Sequence, residues 1–507
     1  MFKAQTRFAV ILLSVSGWAA ADVRLPSLIS DHMLIQRDAP ARIWGKADPG
    51  EQVTVTLASS TRSTTADALG RWEVFLPPVQ AGGPFELTVK GKNTLQVNDV
   101  LVGDVWVASG QSNMVWQVSR SDNAQQEIAS ARFPRIRLFK AALKASDYPL
   151  DDVEGVWTAC NSDTVGAFSA VGYFFARDLH KKYGVPVGVI QSAWGGTPAE
   201  SWISPTSLAA DPALISVYAD WAQLISDYPE ARARYEIRLK EWEEKNKTPG
   251  GTPAPGRPGP PVGPGHPWEP SSLYNAMIAP LTPYAIKGAI WYQGENNAHK
   301  SRSYVYRRLF QAMIQDWRRS WGQGNFPFLF VQLANYAKTP AGSEWPELRE
   351  AQTMALGLSK TGMAVTIDIG NPNDIHPTNK QDVGHRLALA ARHIAYGEDI
   401  VYSGPLFREV TEEGKSLRVW FSHIGGGLTA KGGPLRAFEV AGRDKKYVPA
   451  NAAIEGKTVI VSSESVAEPM YVRYNWADSP DGNLYNAEGL PASPFRSEEW
   501  TAPAVYR

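Results

Sequence analysis

The stretch Val105-Trp106-Val107-Ala108-Ser109-Gly110-Gln111-Ser112-Asn113-Met114 decides the fold. An apolar run of strand length passes through a glycine into a polar segment that carries a serine and is compatible with a helix. A short continuous apolar run bounded by turn residues is the pattern of a strand buried on both faces. Four further runs share it: Val187-Gly188-Val189-Ile190, Gly288-Ala289-Ile290-Trp291, Phe328-Leu329-Phe330-Val331 and Ala364-Val365-Thr366-Ile367. Helical patterning lies between and after them, over 170–183, 304–321 and 378–396. Strand and helix in alternation predict a parallel sheet with helices on both faces, an α/β fold.

On either side of this core the pattern changes. Residues 22–102 read as short strands broken by turns. Arg71-Trp72-Glu73-Val74-Phe75 alternates behind Leu69-Gly70, and Phe85-Glu86-Leu87-Thr88-Val89 behind Gly82-Gly83. Period-two alternation at this spacing predicts an N-terminal β-sandwich. The α/β region is expected over 103–402, with an insertion over 208–270 that is helical first and then dense in proline and glycine. From 403 to 507 the chain returns to β character. Residues 1–21 read as an export signal: Lys3 and Arg7 precede the apolar run Phe8-Ala9-Val10-Ile11-Leu12-Leu13, and Ala19-Ala20-Ala21 offers a small-residue cleavage site. The apolar run is too short for a membrane span. A periplasmic or secreted protein, with no membrane association after cleavage, is the expectation.

Lys plus Arg is 51 and Asp plus Glu is 51, so no basic field exists to hold nucleic acid. The one cysteine, Cys160, excludes an intrachain disulfide and is expected as a buried apolar residue.

Ser112 falls at the carboxyl end of a strand, where open α/β sheets bind their ligands. A serine hydroxyl is a weak nucleophile and needs a base. Of the eight histidines, His180, His385 and His393 fall within helical stretches. His376 instead follows an apolar strand through the loop 370–375, which puts it on the same sheet edge. Asp374 or Asp368 is placed to orient its ring. Two more clusters follow strands: Gln191-Ser192-Ala193-Trp194-Gly195-Gly196-Thr197-Pro198 and Trp291-Tyr292-Gln293-Gly294-Glu295. Backbone N–H groups of glycines and an amide side chain suit an oxyanion hole. Trp194, Trp202, Trp268 and Trp291 are candidates for a sugar-stacking wall. No Gly-x-Ser-x-Gly surrounds Ser112, which disfavours an α/β-hydrolase lipase.

In order, Gly110-Gln111-Ser112-Asn113-Met114, Trp194-Gly195-Gly196-Thr197, Trp291-Tyr292-Gln293-Gly294-Glu295 and Asn373-Asp374-Ile375-His376-Pro377 resemble the sialate O-acetylesterase family of SGNH-type hydrolases. The likeness extends to residues 25–33 and 483–491. The resemblance implies a flavodoxin-like SGNH core flanked by N-terminal and C-terminal β domains. It implies a deacetylation of carbohydrates in two steps without metal or other cofactor, the partner being an acetylated glycan. Some members of the group act on hemicellulose. By position, Ser112 is the nucleophile, His376 the base, and Gly195 and Gln293 the oxyanion donors. Gln111, Asn113, Trp194 and Glu295 are expected around the substrate. The wider pattern has an aspartate three residues before the histidine, where this chain has Asn373, so Asp374 is the preferred acid, with Asp368 and Glu295 as rivals. Asn296 stands where relatives usually have serine. A non-catalytic glycan-binding protein is the alternative from another class.

Overall fold

The computed structural model describes residues 22–246, 256–299 and 302–499. The expected leader over 1–21 and part of the proline- and glycine-rich insertion lie outside the described residues.

Five strands form the centre of the main sheet: Thr94–Gly110, Val187–Ala193, Gly288–Tyr292, Phe328–Val331 and Thr361–Ala364. Every neighbouring pair among them is parallel. Numbered along the chain, they stand in the order 2-1-3-4-5 across the sheet, which is the flavodoxin-like order. Phe133–Lys140 extends the edge beside Val187–Ala193, and Trp157–Cys160 pairs antiparallel beyond it. Ala170–Tyr183 forms a helix whose Ser169 hydroxyl accepts the Gly172 N–H and whose chain leaves through Gly184 at φ 66°. It packs against Lys380–Ile394, while Arg302–Trp321 packs with Trp345–Met354.

The fifth strand begins and ends three residues before the expected 364–367. Gln332 N–H still donates to the Ala364 carbonyl, but the next ladder position is taken by a side chain. Thr366 Oγ1 donates to the Gln332 carbonyl at 2.6 Å. The chain then turns, with Ile369 N–H on the Thr366 carbonyl. Hydrophobicity continues past the point where the ladder stops, so the sequence pattern overshoots.

Thr94–Gly110 serves two sheets. Its first half pairs antiparallel with Gly82–Lys90, and its second half pairs in parallel with Val187–Ala193 and Gly288–Tyr292. The expected division at 102/103 therefore falls inside one continuous strand. One apolar core runs from Val53 and Val55 through Val105 and Val107 to Leu387. At the crossing point the buried Asp104 accepts from Arg37 Nε and Nη2 at 2.9 and 3.0 Å and from the Tyr396 hydroxyl at 2.9 Å. The C-terminal region holds two further four-stranded antiparallel sheets around their own core of Val419, Val440, Val459, Val461 and Val472. In the insertion, Ile215–Lys245 forms a helix with no buried residue, braced by the pairs Arg232–Glu236 and Arg234–Glu230.

Gly110, the last residue of the central strand, has φ 135°. A Cβ there would lie 2.1 Å from the Tyr292 carbonyl oxygen, a backbone atom with no room to retreat. Gly110→Ala is expected to lower stability by roughly 2–3 kcal/mol, read from urea unfolding. A Cm unchanged from wild type contradicts this account of the strand end.

Candidate active site

Parallel register brings the site together. Gly110 is the paired partner of both Ala193 and Tyr292, so three loops leave the sheet at one level. They are laced to each other. Gln111 N–H donates to the Tyr292 carbonyl at 2.9 Å, and Trp194 N–H to the Gly110 carbonyl at 3.0 Å. Ser112 opens the short helix Ser112–Val115 on the first of these loops. Gly195, on the second, lies against it: a Cβ built on Gly195 would be 3.4 Å from Ser112 Cβ.

His376 arrives from the loop after Thr361–Ala364, and its Nε2 lies 2.8 Å from Ser112 Oγ. The ring stacks on Trp116, with centroids 5.2 Å apart and planes at 17°. The Arg120 guanidinium covers the same indole at 3.9 Å. Burial lowers the His376 pKa below the ordinary histidine value; Asp374 opposes that, while Lys380 and Arg120 add to it.

The three candidate acids separate clearly. Asp368 is held in a two-pronged ion pair by Arg386, at 2.6 and 2.8 Å. Glu295 Oε1 accepts from Asn113 Nδ2 at 2.6 Å. Asp374 alone faces the imidazole, with Oδ1 3.5 Å from His376 Nδ1. The same oxygen accepts the His376 backbone N–H at 2.9 Å, an Asx turn that folds the carboxylate back onto the ring two residues on. The contact is long for a hydrogen bond and the Asp374 side chain is half exposed.

Several expected binding residues lie beneath the site instead of lining it. Gln293 is fully buried, and its Nε2 donates to the Thr197 carbonyl and to Asn297 Oδ1. With both amide hydrogens engaged there, Gln293 does not supply the expected oxyanion donor and instead braces the Trp194–Pro198 loop. Gln111, Asn113 and Glu295 are buried too; Gln111 Oε1 accepts from the N–H groups of Gly294 and Asn296, at 3.4 Å each. Trp202 and Trp291 are core residues with no exposed surface, whereas Trp194 and Trp268 are partly exposed. Asn296 Nδ2 donates to the Gly196 carbonyl at 2.7 Å, so the asparagine joins two site loops.

Sequence reasoning missed Trp116, Arg120 and above all Lys380. Lys380 has no exposed surface, and burial pushes its ammonium down to about 7. One signal was available: a lysine in the first turn of a helix opposes the macrodipole. The remaining histidines are engaged elsewhere, His385 with Asp178 and His180 with the Val185 carbonyl. Cys160 is buried, and its thiol is raised to about 12. Among the described residues no group of three or more His, Cys, Asp or Glu side chains converges, and no helix is long and apolar enough to cross a membrane.

A serine and a histidine in contact at the carboxyl edge of a flavodoxin-like sheet define a carboxylic ester hydrolase. A family model for carbohydrate esterases, sialic acid-specific acetylesterase, matches residues 263–393. The sialate O-acetylesterase of Mus musculus is 35% identical, with 96% of this chain and 97% of that relative aligned. The Homo sapiens enzyme of the same name is 34% identical, over 78% of this chain and 76% of its own. A solved structure of a carbohydrate acetylesterase from Xanthomonas citri superposes with a TM-score of 0.81 at 41% identity, covering 94% of this chain and 100% of that one. The chain belongs to the sialate O-acetylesterase family.

If His376 takes a proton from Ser112, it must be neutral to do so. Because its pKa is lowered, activity is expected to persist on the acid side until the pH falls through a value below about 6.5. Asp374 is the group that raises that pKa, so Asp374→Asn moves the acid limb of kcat/KM to still lower pH. The accompanying fall in kcat is expected at about ten- to a hundredfold, less than the roughly 10⁴-fold for a buried triad aspartate, since Asp374 is half exposed. A limb that moves upward in this variant excludes Asp374 as the ring's partner.

Proposed function

We propose that the chain removes O-acetyl groups from sugars by acyl transfer through Ser112, with His376 as general base and Asp374 orienting the ring. The single observation that carries this reading is the 2.8 Å contact between Ser112 Oγ and His376 Nε2. As Oγ attacks the acetyl carbonyl, His376 takes its proton. The tetrahedral oxyanion is held by the backbone N–H groups of Ser112 and Gly195. His376 then protonates the departing sugar oxygen, which leaves an acetyl-serine. Water, deprotonated by the same histidine, releases acetate and restores Ser112. Trp194 next to Gly195 supplies an apolar wall against the sugar. The names of the curated relatives support O-acetylated sialate as the substrate, and the leader-like residues 1–21 support export to the periplasm or medium.

Ser112→Ala is expected to lower kcat on an aryl acetate by on the order of 10⁴- to 10⁶-fold, with unfolding unchanged. A variant that keeps a tenth of wild-type turnover removes Ser112 from the mechanism. Acetate release measured in parallel from O-acetylated sialate, acetylated xylan and acetylated xyloglucan decides the substrate. Fastest release from sialate is expected; faster release from either polysaccharide replaces sialate with hemicellulose.

A further inference from the structure

Directly beneath the Ser112–His376 pair lies a buried polar chain that the acyl-transfer steps do not use. Asn113, the residue after Ser112, is 1% exposed, and its amide is fully engaged. Lys380 Nζ donates to Asn113 Oδ1 at 2.5 Å. Asn113 Nδ2 donates to Glu295 Oε1 at 2.6 Å and to the Ile375 carbonyl at 3.0 Å. Ile375 is the residue before His376. A single amide therefore links the peptide carrying the nucleophile to the peptide carrying the base.

An amide can sit in either of two orientations, and its partners decide which. Here a donor-only ammonium faces the oxygen and an acceptor carboxylate faces the nitrogen. The flipped amide would set NH₂ against NH₃⁺ and oxygen against carboxylate, losing both charge-assisted contacts. We propose that Lys380 is a positioning residue for hydrolysis, acting with Glu295 to lock the Asn113 amide and so fix the separation of Ser112 and His376. This rests on the reading of Ser112 and His376 as nucleophile and base.

Lys380 has a second line of sight to the reaction. Its Nζ stands 5.9 Å from the Trp116 ring, on which His376 stacks, and 5.2 Å from the Tyr292 ring. The charged groups that act on it are Glu295, Asp374 and Asp122. Those acting on His376 are Asp374, Lys380 and Arg120. Removing the Lys380 charge takes away one of the two cations that hold His376 down, so the His376 pKa rises.

The test uses Lys380→Met, the double variant Lys380→Met/Glu295→Gln and, beside them, Ser112→Ala. The double variant removes both charges together and leaves no unpaired ion in the interior, so it folds even where the single variant does not. The amide oxygen introduced by Glu295→Gln still accepts from Asn113, but methionine offers nothing to Asn113 Oδ1. On an aryl acetate, kcat is expected to fall about ten- to a hundredfold, the scale of a misplaced reacting group, while KM stays within about threefold. The acid limb of kcat/KM is expected to move to higher pH, a shift that a purely structural role would not produce. A double variant that melts like wild type, keeps kcat within about twofold and leaves the limb in place overturns the proposal. If Ser112→Ala is inactive while the double variant is normal, only this inference falls; if Ser112→Ala is active, the serine mechanism falls with it.

Discussion

The site depends on a matter of register. Gly110 pairs with Ala193 on one side and Tyr292 on the other, so the three central strands end together. Parallel strands send their following loops out of the same edge, and equal strand ends send them out at the same height. Ser112, Gly195 and the Gln293–Glu295 loop are neighbours for that reason, although they lie far apart along the chain. Only glycine fits the strand end, because the neighbouring carbonyl occupies the space a Cβ would take. His376 comes from two strands further along and has to be tied in separately. The Asn113 link to the Ile375 carbonyl does that.

Two environments then meet across a few ångströms. His376 is partly open to solvent on its Asp374 side and roofed by Trp116, so its basicity is trimmed by burial yet remains in the range where it can exchange protons. Below it, Lys380 and Glu295 are buried; burial works against the charge on each, while their attraction to one another works for it. Buried groups of opposite charge joined through one amide are costly to assemble and rigid once assembled. Ser112 thus rests on a rigid base, while His376 above it keeps an open side.

Much of this is legible in the chain. The five central strands show as apolar runs, and the 170–183 helix has the bounds its pattern gives, because burial on both faces leaves an unmistakable composition. Ser112 and His376 are legible from their positions after strands. What the sequence does not carry is direction. Trp291 lies in and Gln293 follows the strand that leads to Glu295, yet whether a side chain turns into the core or the cleft depends largely on partners far along the chain, here Thr197 and Trp202. The final strand is displaced from its apolar run because Thr366 caps the ladder with a hydroxyl, a replacement that hydrophobicity does not register. Lys380 escapes a sequence reading because a lysine on a helix is ordinarily a solvated residue.

The strand shared by the N-terminal sheet and the catalytic sheet has a consequence for modularity. A module that can be cut, swapped or lost in evolution needs a boundary where few contacts cross. Here the boundary would sever the strand that leads into Ser112, and Asp104, with Arg37 on one side and Tyr396 on the other, seals the same seam. The C-terminal sheets are attached differently. They keep an apolar core of their own and are gripped by the buried Arg349, which donates to the carbonyls of Leu333 and Ala334 on one side and of Ala477 and Asp478 on the other. By this criterion the C-terminal β region, with a core of its own, is the part of the chain whose exchange would cut the fewest contacts, whereas removing the N-terminal β region would cut the strand that leads to Ser112.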